Sequence, residues 1–304
     1  MKKLHSNGHA LVQTERTLSF ASYVEAEDRT YFYQSNGGYL KETSKESYTE
    51  SMFGANWEKI LSQLSNPNFP YIESIAKCWV KEAGNPKLIS RKEYFNNTFG
   101  SNWQDIYEFD IIPKDIFSEI TNFMTCTIQN ETVCLLWPHD IILHFNEHGE
   151  LVQYISLEAA HYVDTLYQIC SDGQTIWGVS PTMNTVAKYT FPSFHLEKIY
   201  HYATDKSRAQ TQRGINSELH VFPPENELDG LNYPEYISYI DGQLYICDME
   251  NNRIVTFNPD NGQITPYISL DSKPFAFLQW QDQFVIQLDT GIYLLDANQF
   301  NAKG

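Results

Sequence analysis

The sequence predicts an all-β fold made from a repeated unit of short antiparallel strands. One strand-turn-strand phrase occurs twice, at residues 145–157 and 257–270; both copies begin with Phe-Asn and end with Tyr-Ile-Ser-Leu. Asp-Gly turns at 172–173 and 241–242 each precede an apolar strand, and they favour hairpins because Gly tolerates positive φ. Aromatic residues make up 14% of the chain, which suits twisted antiparallel sheets.

The predicted strands after residue 120 are apolar along nearly their whole length, as at 133–136 and 244–247. This pattern indicates burial on both faces, as when sheets stack face to face around a ring. Units of about 40–50 residues with four strands each, repeated radially, are the blades of a β-propeller. We therefore expect a single propeller domain over residues 1–304, with four regular blades in 116–296.

Six irregular blades are predicted from the centres of the second strands. These centres lie near Phe32, Trp79, Val133, Ile176, Leu244 and Phe284. The last unit ends at residues 291–296 without a fourth strand, and residues 8–13 resemble the fourth-strand segment 149–153. We expect this N-terminal strand to complete the last blade, which would remove an exposed sheet edge.

The first two units, within residues 15–115, carry a repeat of their own. Residues 48–57 and 94–103 share the pattern Tyr, then Phe-Gly, then Asn-Trp. Apolar residues at helical spacing predict an amphipathic helix that Gly54 divides into two parts. The two units are either helix-decorated blades of the ring or a separate α/β module. The shared aromatic residues either form a peptide-binding face or are buried helix anchors.

One blade carries a resemblance to a known family. Pro234, the segment 241–248 (Asp-Gly-Gln-Leu-Tyr-Ile-Cys-Asp) and the segment 251–257 (Asn-Asn-Arg-Ile-Val-Thr-Phe) together resemble an NHL repeat. The resemblance covers residues 233–262. It implies propeller architecture and carries no activity.

The composition indicates which partners and which cellular compartment to expect. The formal net charge is −17, which disfavours binding to nucleic acid or to an anionic membrane surface. The five cysteines are scattered without a CxxC pair, which indicates free thiols in a reducing compartment. With no secretory signal pattern and no long apolar run, the expected location is the cytoplasm.

The first functional hypothesis is a non-catalytic, acidic propeller that binds a macromolecule. P-loop, nucleophile-elbow and HExxH motifs are absent from the sequence. The charge favours a basic protein partner, as for an immunity, inhibitor or scaffold protein. This hypothesis involves no cofactor. An insertion at 202–230 either contacts the partner or is an excursion of the chain. The candidate binding residues are Arg213, Glu225, Glu227, Asp229 and Tyr233.

The alternative hypothesis is a metal-dependent lactonase or other hydrolase. A resemblance to propellers of the gluconolactonase type implies a divalent cation such as calcium at the central mouth, where it would polarise an ester carbonyl. The candidate ligands are Glu235, Asp248, Asn184 and Asn252. A competing interpretation is that Asp248 and Asn252 cap the blade turns through hydrogen bonds to the backbone.

Overall fold

The computed structural model arranges short antiparallel sheets as a ring, which is the architecture of a β-propeller. It describes residues 1–6, 8–13, 17–36, 39–65, 76–82, 85–100, 121, 123–137, 141–156, 166–202, 220–221 and 230–296. Five sheets are found within these ranges. The predicted all-β propeller is therefore confirmed, and the predicted number of six blades is wrong.

The strands follow one another from the centre of each blade outward. β1 (Lys2–His5) belongs to the last blade. The first blade contains β2 (His9–Gln13), β3 (Thr17–Val24), β4 (Arg29–Asn36) and β5 (Tyr39–Thr43). The second contains the outer hairpin β6 (Ala76–Glu82) and β7 (Asn85–Ser90), then β8 (Phe123–Ile128), β9 (Glu131–Leu136), β10 (Ile141–Phe145) and β11 (Leu151–Ser156).

The remaining three blades follow without interruption by α-helices in the described ranges. The third contains β12 (Gln168–Ser171), β13 (Thr175–Ser180), β14 (Thr185–Thr190), β15 (Leu196–His201) and β16 (His220–Val221). The fourth contains β17 (Pro234–Ile240), β18 (Gln243–Asp248), β19 (Arg253–Phe257) and β20 (Ile264–Ser269). The fifth contains β21 (Pro274–Trp280), β22 (Gln283–Leu288) and β23 (Gly291–Asp296), with β1 outermost.

Buried side chains join each blade to the next. Trp177 of the third blade packs edge to face on Phe257 of the fourth, with ring centroids 5.7 Å apart. Between the last blade and the first, Phe20 shares a core with Ile292. Burying a large apolar side chain contributes about 1.5–3 kcal/mol, so these interfaces are a main source of ring stability.

The structure has five blades rather than six because, within the described residues, the second sequence unit builds no sheet of its own. Its hairpin, β6–β7, pairs in parallel with β11 through Tyr154–Ala76 and Ile155–Lys77. An isolated two-stranded hairpin is marginally stable in water, so joining the edge of an existing sheet gives it hydrogen-bond partners. Trp79, predicted from the sequence to lie at the centre of the second strand of its own blade, therefore lies in the outer margin of the second blade.

The N-terminal strand does complete the last blade, but the segment differs from the predicted one. β1 pairs antiparallel with β23, whereas residues 9–13 form β2, the innermost strand of the first blade. Gly8 joins the two strands at a crowded point: a Cβ atom there would lie 2.5 Å from Ile292 Cδ1. The close approach explains why the chain crosses from one blade to the next at a glycine.

Helices fill the space between the first and second blades. α1 (Lys45–Phe53) and α2 (Trp57–Leu64) are separated at Gly54, as the sequence predicts. Their buried residues share a core with the second blade, where Phe53 packs edge to face on Phe123 at 5.7 Å. On the other side, the Tyr48 hydroxyl donates to the Ala10 carbonyl oxygen of β2 at 2.7 Å. The helices form a wedge between two blades.

The internal repeat of the first two units is also visible in the backbone. The hairpins β4–β5 and β6–β7 have the same register: Phe32 pairs with Thr43, and Cys78, 46 residues later, pairs with Ile89. A serine caps each following helix, Ser44 for α1 and Ser90 for α3 (Arg91–Phe99). In the first copy the shared aromatic residue Phe53 is a buried anchor; residues 101–103 of the second copy lie outside the described ranges.

Two sequence-based expectations concern thiols and membranes. Cys134, Cys170 and Cys247 are buried and free, and Cys126 is half-buried and free. Burial raises the pKa of the Cys126 thiol to about 12, so this group is unreactive as a nucleophile near neutral pH. Among the helices in the described ranges, none has the length and apolar character needed to cross a membrane.

Candidate functional site

A cavity of about 1030 Å³ lies at the centre of the ring. All five innermost strands, β2, β8, β12, β17 and β21, contribute residues to its wall. The end of α1 also contributes, through residues 51–53. The cavity is therefore built by the ring as a whole, with the helical wedge completing the wall between the first two blades.

One end of the ring carries both the connections between blades and the turns between second and third strands. We call it the connection face; its described residues are 6, 8, 25–28, 137, 166–167, 181–184, 230–233, 249–252, 270–273 and 289–290. Backbone hydrogen bonds hold these segments together, as when the Leu270 N–H donates to the Asn252 carbonyl oxygen at 2.9 Å. The inner strands β12, β17 and β21 begin at this end, so their first residues line the cavity near the connection face.

Glu235, the second residue of β17, is the one carboxylate among the described residues that line the cavity. It is half-buried and makes no hydrogen bond or ion pair with any residue in the described ranges. Burial raises its pKa to about 7, because the ionised carboxylate loses hydration without gaining a partner. Near neutral pH, Glu235 is therefore poised between its acid and its carboxylate.

An aromatic cluster lies at the same end of the cavity. Trp137 directly follows β9, and Tyr167 directly precedes β12; their rings meet edge to face with centroids 5.7 Å apart. Tyr167 also meets Tyr233 edge to face at 6.3 Å. The indole N–H of Trp137 is buried and has no acceptor among the described residues. Trp137 and Tyr167 both line the cavity.

No lysine or arginine is found among the described residues of the cavity wall. His9 lines it, and burial lowers the pKa of its imidazole, so the ring is neutral at pH 7. Ser238 contributes a buried hydroxyl that has no hydrogen-bond partner in the described ranges. Glu235 therefore has no counter-ion within the described part of this wall. Polar groups of the same wall, such as the Ser238 hydroxyl, also lack hydrogen-bond partners in the described ranges.

Asp248, at the end of β18, is fully buried and fixed by three donors. The backbone N–H of Asn232 donates to Oδ1 at 2.7 Å, while Asn251 Nδ2 and Arg253 Nε donate to Oδ2 at 2.9 and 2.7 Å. Burial raises the pKa of this carboxyl, and the three donors oppose the rise. These contacts tie the turn after β18 to the connection that leads into β17.

Asn184 and Asn252 occupy equivalent positions in neighbouring blades. Each has a left-handed backbone, with φ near 50°. The carbonyl oxygen of each accepts the N–H of the residue that follows the fourth strand, Tyr202 and Leu270 respectively. Asn184 Oδ1 also accepts the Tyr233 N–H at 2.8 Å. The side chains of Asp248 and Asn184 therefore cap the connection before β17, whereas the contact of Asn252 with Leu270 is made by its backbone.

Of the four proposed metal ligands, Glu235 alone is among the described residues that line the cavity, so this geometry does not bring the four together around a cation. The oxygens of Asp248 and the side-chain oxygen of Asn184 already accept protein N–H groups, which leaves Glu235 alone facing the cavity. Across the described ranges, no three His, Cys, Asp or Glu side chains come close enough together to hold a metal ion. Calcium needs six to eight oxygen ligands, so we derive no chemistry from a bound metal.

Of the candidate binding residues, the structure describes Tyr233 alone. Tyr233 belongs to the aromatic cluster and lies in the connection that begins at Gly230. Arg213, Glu225, Glu227 and Asp229 lie outside the described residues. Sequence reasoning missed Trp137, Tyr167 and His9 as cavity residues. The available signal was their position next to the ends of strands, which becomes informative only once the innermost strand of each blade is known.

Comparison with known proteins gives similarity of fold alone. No family model matches the chain, and no curated protein matches it. The structure titled streptogramin B lyase is 11% identical with a TM-score of 0.45, and the match covers 96% of each chain. The nidogen/laminin complex is 10% identical with a TM-score of 0.42, covering 98% of this chain and 78% of the other.

A glutaminyl cyclase of Myxococcus xanthus is 8% identical with a TM-score of 0.40, over 58% of this chain and 66% of the other. The titles of these structures name proteins of different function. The chain is thus a β-propeller by its own sheet topology, and these matches assign no activity to it.

Proposed function

We propose that this propeller is a non-catalytic binding protein whose partner is a basic protein. The observation that supports this most directly is the charge of the connection face. Its described segments carry six exposed carboxylates and one ammonium group, that of Lys273. The carboxylates belong to Glu25, Glu27, Asp28, Glu250, Asp271 and Asp289.

The cavity strengthens the proposal because it adds a carboxylate to the same end of the ring. Glu235 lies behind the exposed acidic residues, without a counter-ion in the described wall. A field of one sign around a concave opening raises the encounter rate with a partner of the opposite sign. An immunity, inhibitor or scaffold role accords with this charge. The NHL-like segment 233–262 adds architecture to the proposal and no activity.

The test is a capture experiment with two matched charge variants. One carries Glu25→Gln, Glu27→Gln, Asp271→Asn and Asp289→Asn on the connection face. The control carries four neutralised exposed residues at the opposite end of the blades: Glu147→Gln, Asp241→Asn, Asp260→Asn and Asp282→Asn. Proteins retained by the wild type are purified and re-bound one at a time.

We expect to recover a basic protein that binds the wild type and the control variant equally well. The connection-face variant should no longer bind it. The affinity of this protein for the wild type should fall steeply as salt concentration rises, because surface charges are screened beyond about 10 Å at 0.1 M. Equal binding to both variants, or binding that does not respond to salt, would overturn the proposal.

A further inference from the structure

We propose that the end of the central cavity near the connection face is a binding site for an alkylammonium group. The site consists of the Glu235 carboxylate and the aromatic residues Trp137 and Tyr167. The inference rests on the cavity wall and does not depend on the proposed basic partner. Nothing in the fold alone requires a carboxylate at this position.

The first argument is the unpartnered state of Glu235. A carboxylate that is removed from water is stable only when it is paired or protonated. No described residue of the wall supplies a cation, and the neutral His9 does not. A cationic ligand would provide the missing counter-ion, and its N–H groups would donate to the carboxylate oxygens.

The second argument is the aromatic surface at the same end of the cavity as the carboxylate. Trp137 and Tyr167 meet edge to face rather than stacking, and both contribute surface to the cavity. Aromatic faces attract cations and also pack against methylene groups, which suits a charged nitrogen on an alkyl chain. A bare metal ion would gain little from this surface, so the wall favours an organic cation.

The third argument is the pair of unsatisfied polar groups. Trp137 and Ser238 both line the cavity, and the buried indole N–H of the first and the buried hydroxyl of the second lack partners among the described residues. Buried polar groups without partners are uncommon in folded proteins, and they often indicate a bound ligand or water.

The probe is n-butylammonium, and butan-1-ol of similar size is the neutral control. Binding is followed by the indole N–H signals of protein labelled with ¹⁵N-tryptophan, in which Trp137→Phe identifies the Trp137 signal. We expect a saturable shift of that signal with a Kd on the order of millimolar. Butan-1-ol should produce no saturable shift at equal concentration.

The variant test compares Glu235→Gln with Asp282→Asn, an exposed carboxylate at the opposite end of the blades. We expect at least a tenfold loss of butylammonium affinity in the first and no change in the second. A wild-type measurement needs no variant: affinity should rise about tenfold from pH 6 to pH 8 as Glu235, with a pKa of about 7, ionises. The probe stays charged, since its pKa resembles that of lysine.

A capped lysine, Nα-acetyl-lysine methylamide, distinguishes two sources of the ammonium group. Binding of both probes shows that a side chain of a partner protein can enter the site. Binding of butylammonium alone shows that the site takes free amines. The proposal is overturned if neither probe shifts the Trp137 signal, if affinity does not change with pH, or if Glu235→Gln binds as tightly as Asp282→Asn.

Discussion

The carbonyl oxygen of His5 lies 2.2 Å from the position that a Cβ atom would occupy on Gly291. His5 ends β1 and Gly291 begins β23, so the two residues meet where the N-terminal strand closes the last blade. Gly291 has a φ of +134°, a conformation that other residues rarely adopt. Closure of the ring therefore depends on a position without a side chain.

Replacing Gly291 with Ala should destabilise the protein more than the same change at Gly242. Gly242 also has a positive φ, +84°, but an added Cβ would meet no atom within 4 Å. Both variants carry backbone strain of about 1–3 kcal/mol. Only Gly291→Ala also pushes the β1 backbone away, for which we expect a further loss of about 1–3 kcal/mol. Urea denaturation measures the difference; equal losses would show that β1 adapts freely.

Local turn chemistry explains which parts of this fold were predictable. The phrase shared by 145–157 and 257–270 predicts the hairpins β10–β11 and β19–β20, because Gly149 and Gly262 adopt the positive φ that their turns require. The matching of Asn184 with Asn252 likewise follows from a shared turn. Such features are encoded by residues close together in the chain.

The number of blades and the cavity site depend on contacts that local patterns do not encode. The second unit repeats the β4–β5 hairpin and its helix, but its parallel pairing with β11 decides that it extends a blade. Glu235 is recognisable as a candidate from its place after Pro234. Its relation to Trp137 and Tyr167 arises only when three different blades meet at the cavity.

Truncating Ile60 to Ala should remove much of the support that the helical wedge gives to the ring. Ile60 is fully buried in the core that α2 shares with the second blade. A deletion of this kind in a packed core costs about 2–5 kcal/mol. The exposed residue Glu58 on the same helix is the control, and Glu58→Ala should change the free energy of unfolding by less than about 0.5 kcal/mol. A loss below 1 kcal/mol for Ile60→Ala would show that the wedge is dispensable.

Replacing Asp248 with Asn should destabilise the fourth blade whether or not calcium is present. The change leaves the Arg253 guanidinium, whose side chain is 12% exposed, without its carboxylate at 2.7 Å. Breaking a buried ion pair from one side costs about 3–5 kcal/mol. We expect a lower melting temperature for the variant, and no effect of calcium or EDTA on the wild type. A rise in the wild-type melting temperature with calcium would instead favour Asp248 as a metal ligand.

Glu235→Gln should stabilise the protein at pH 8 and have little effect at pH 4. The pKa of Glu235 is about 7 in the folded protein against 4.5 in the unfolded chain. Between these values the folded state holds the proton more firmly, so the Glu235 contribution to stability is present below pH 4.5 and is lost as the pH rises through 7. Gln carries no charge to desolvate, and its advantage at pH 8 should be on the order of 1–3 kcal/mol.

The measurement is urea denaturation of both proteins from pH 4 to pH 8, with Asp271→Asn as the exposed control. Only the difference between variant and wild type reports on Glu235, because burial lowers the pKa of His9 and of His144 and gives them the opposite dependence on pH. If the Glu235→Gln difference does not change with pH, Glu235 is hydrated or already paired, and the carboxylate is not available to receive a cation.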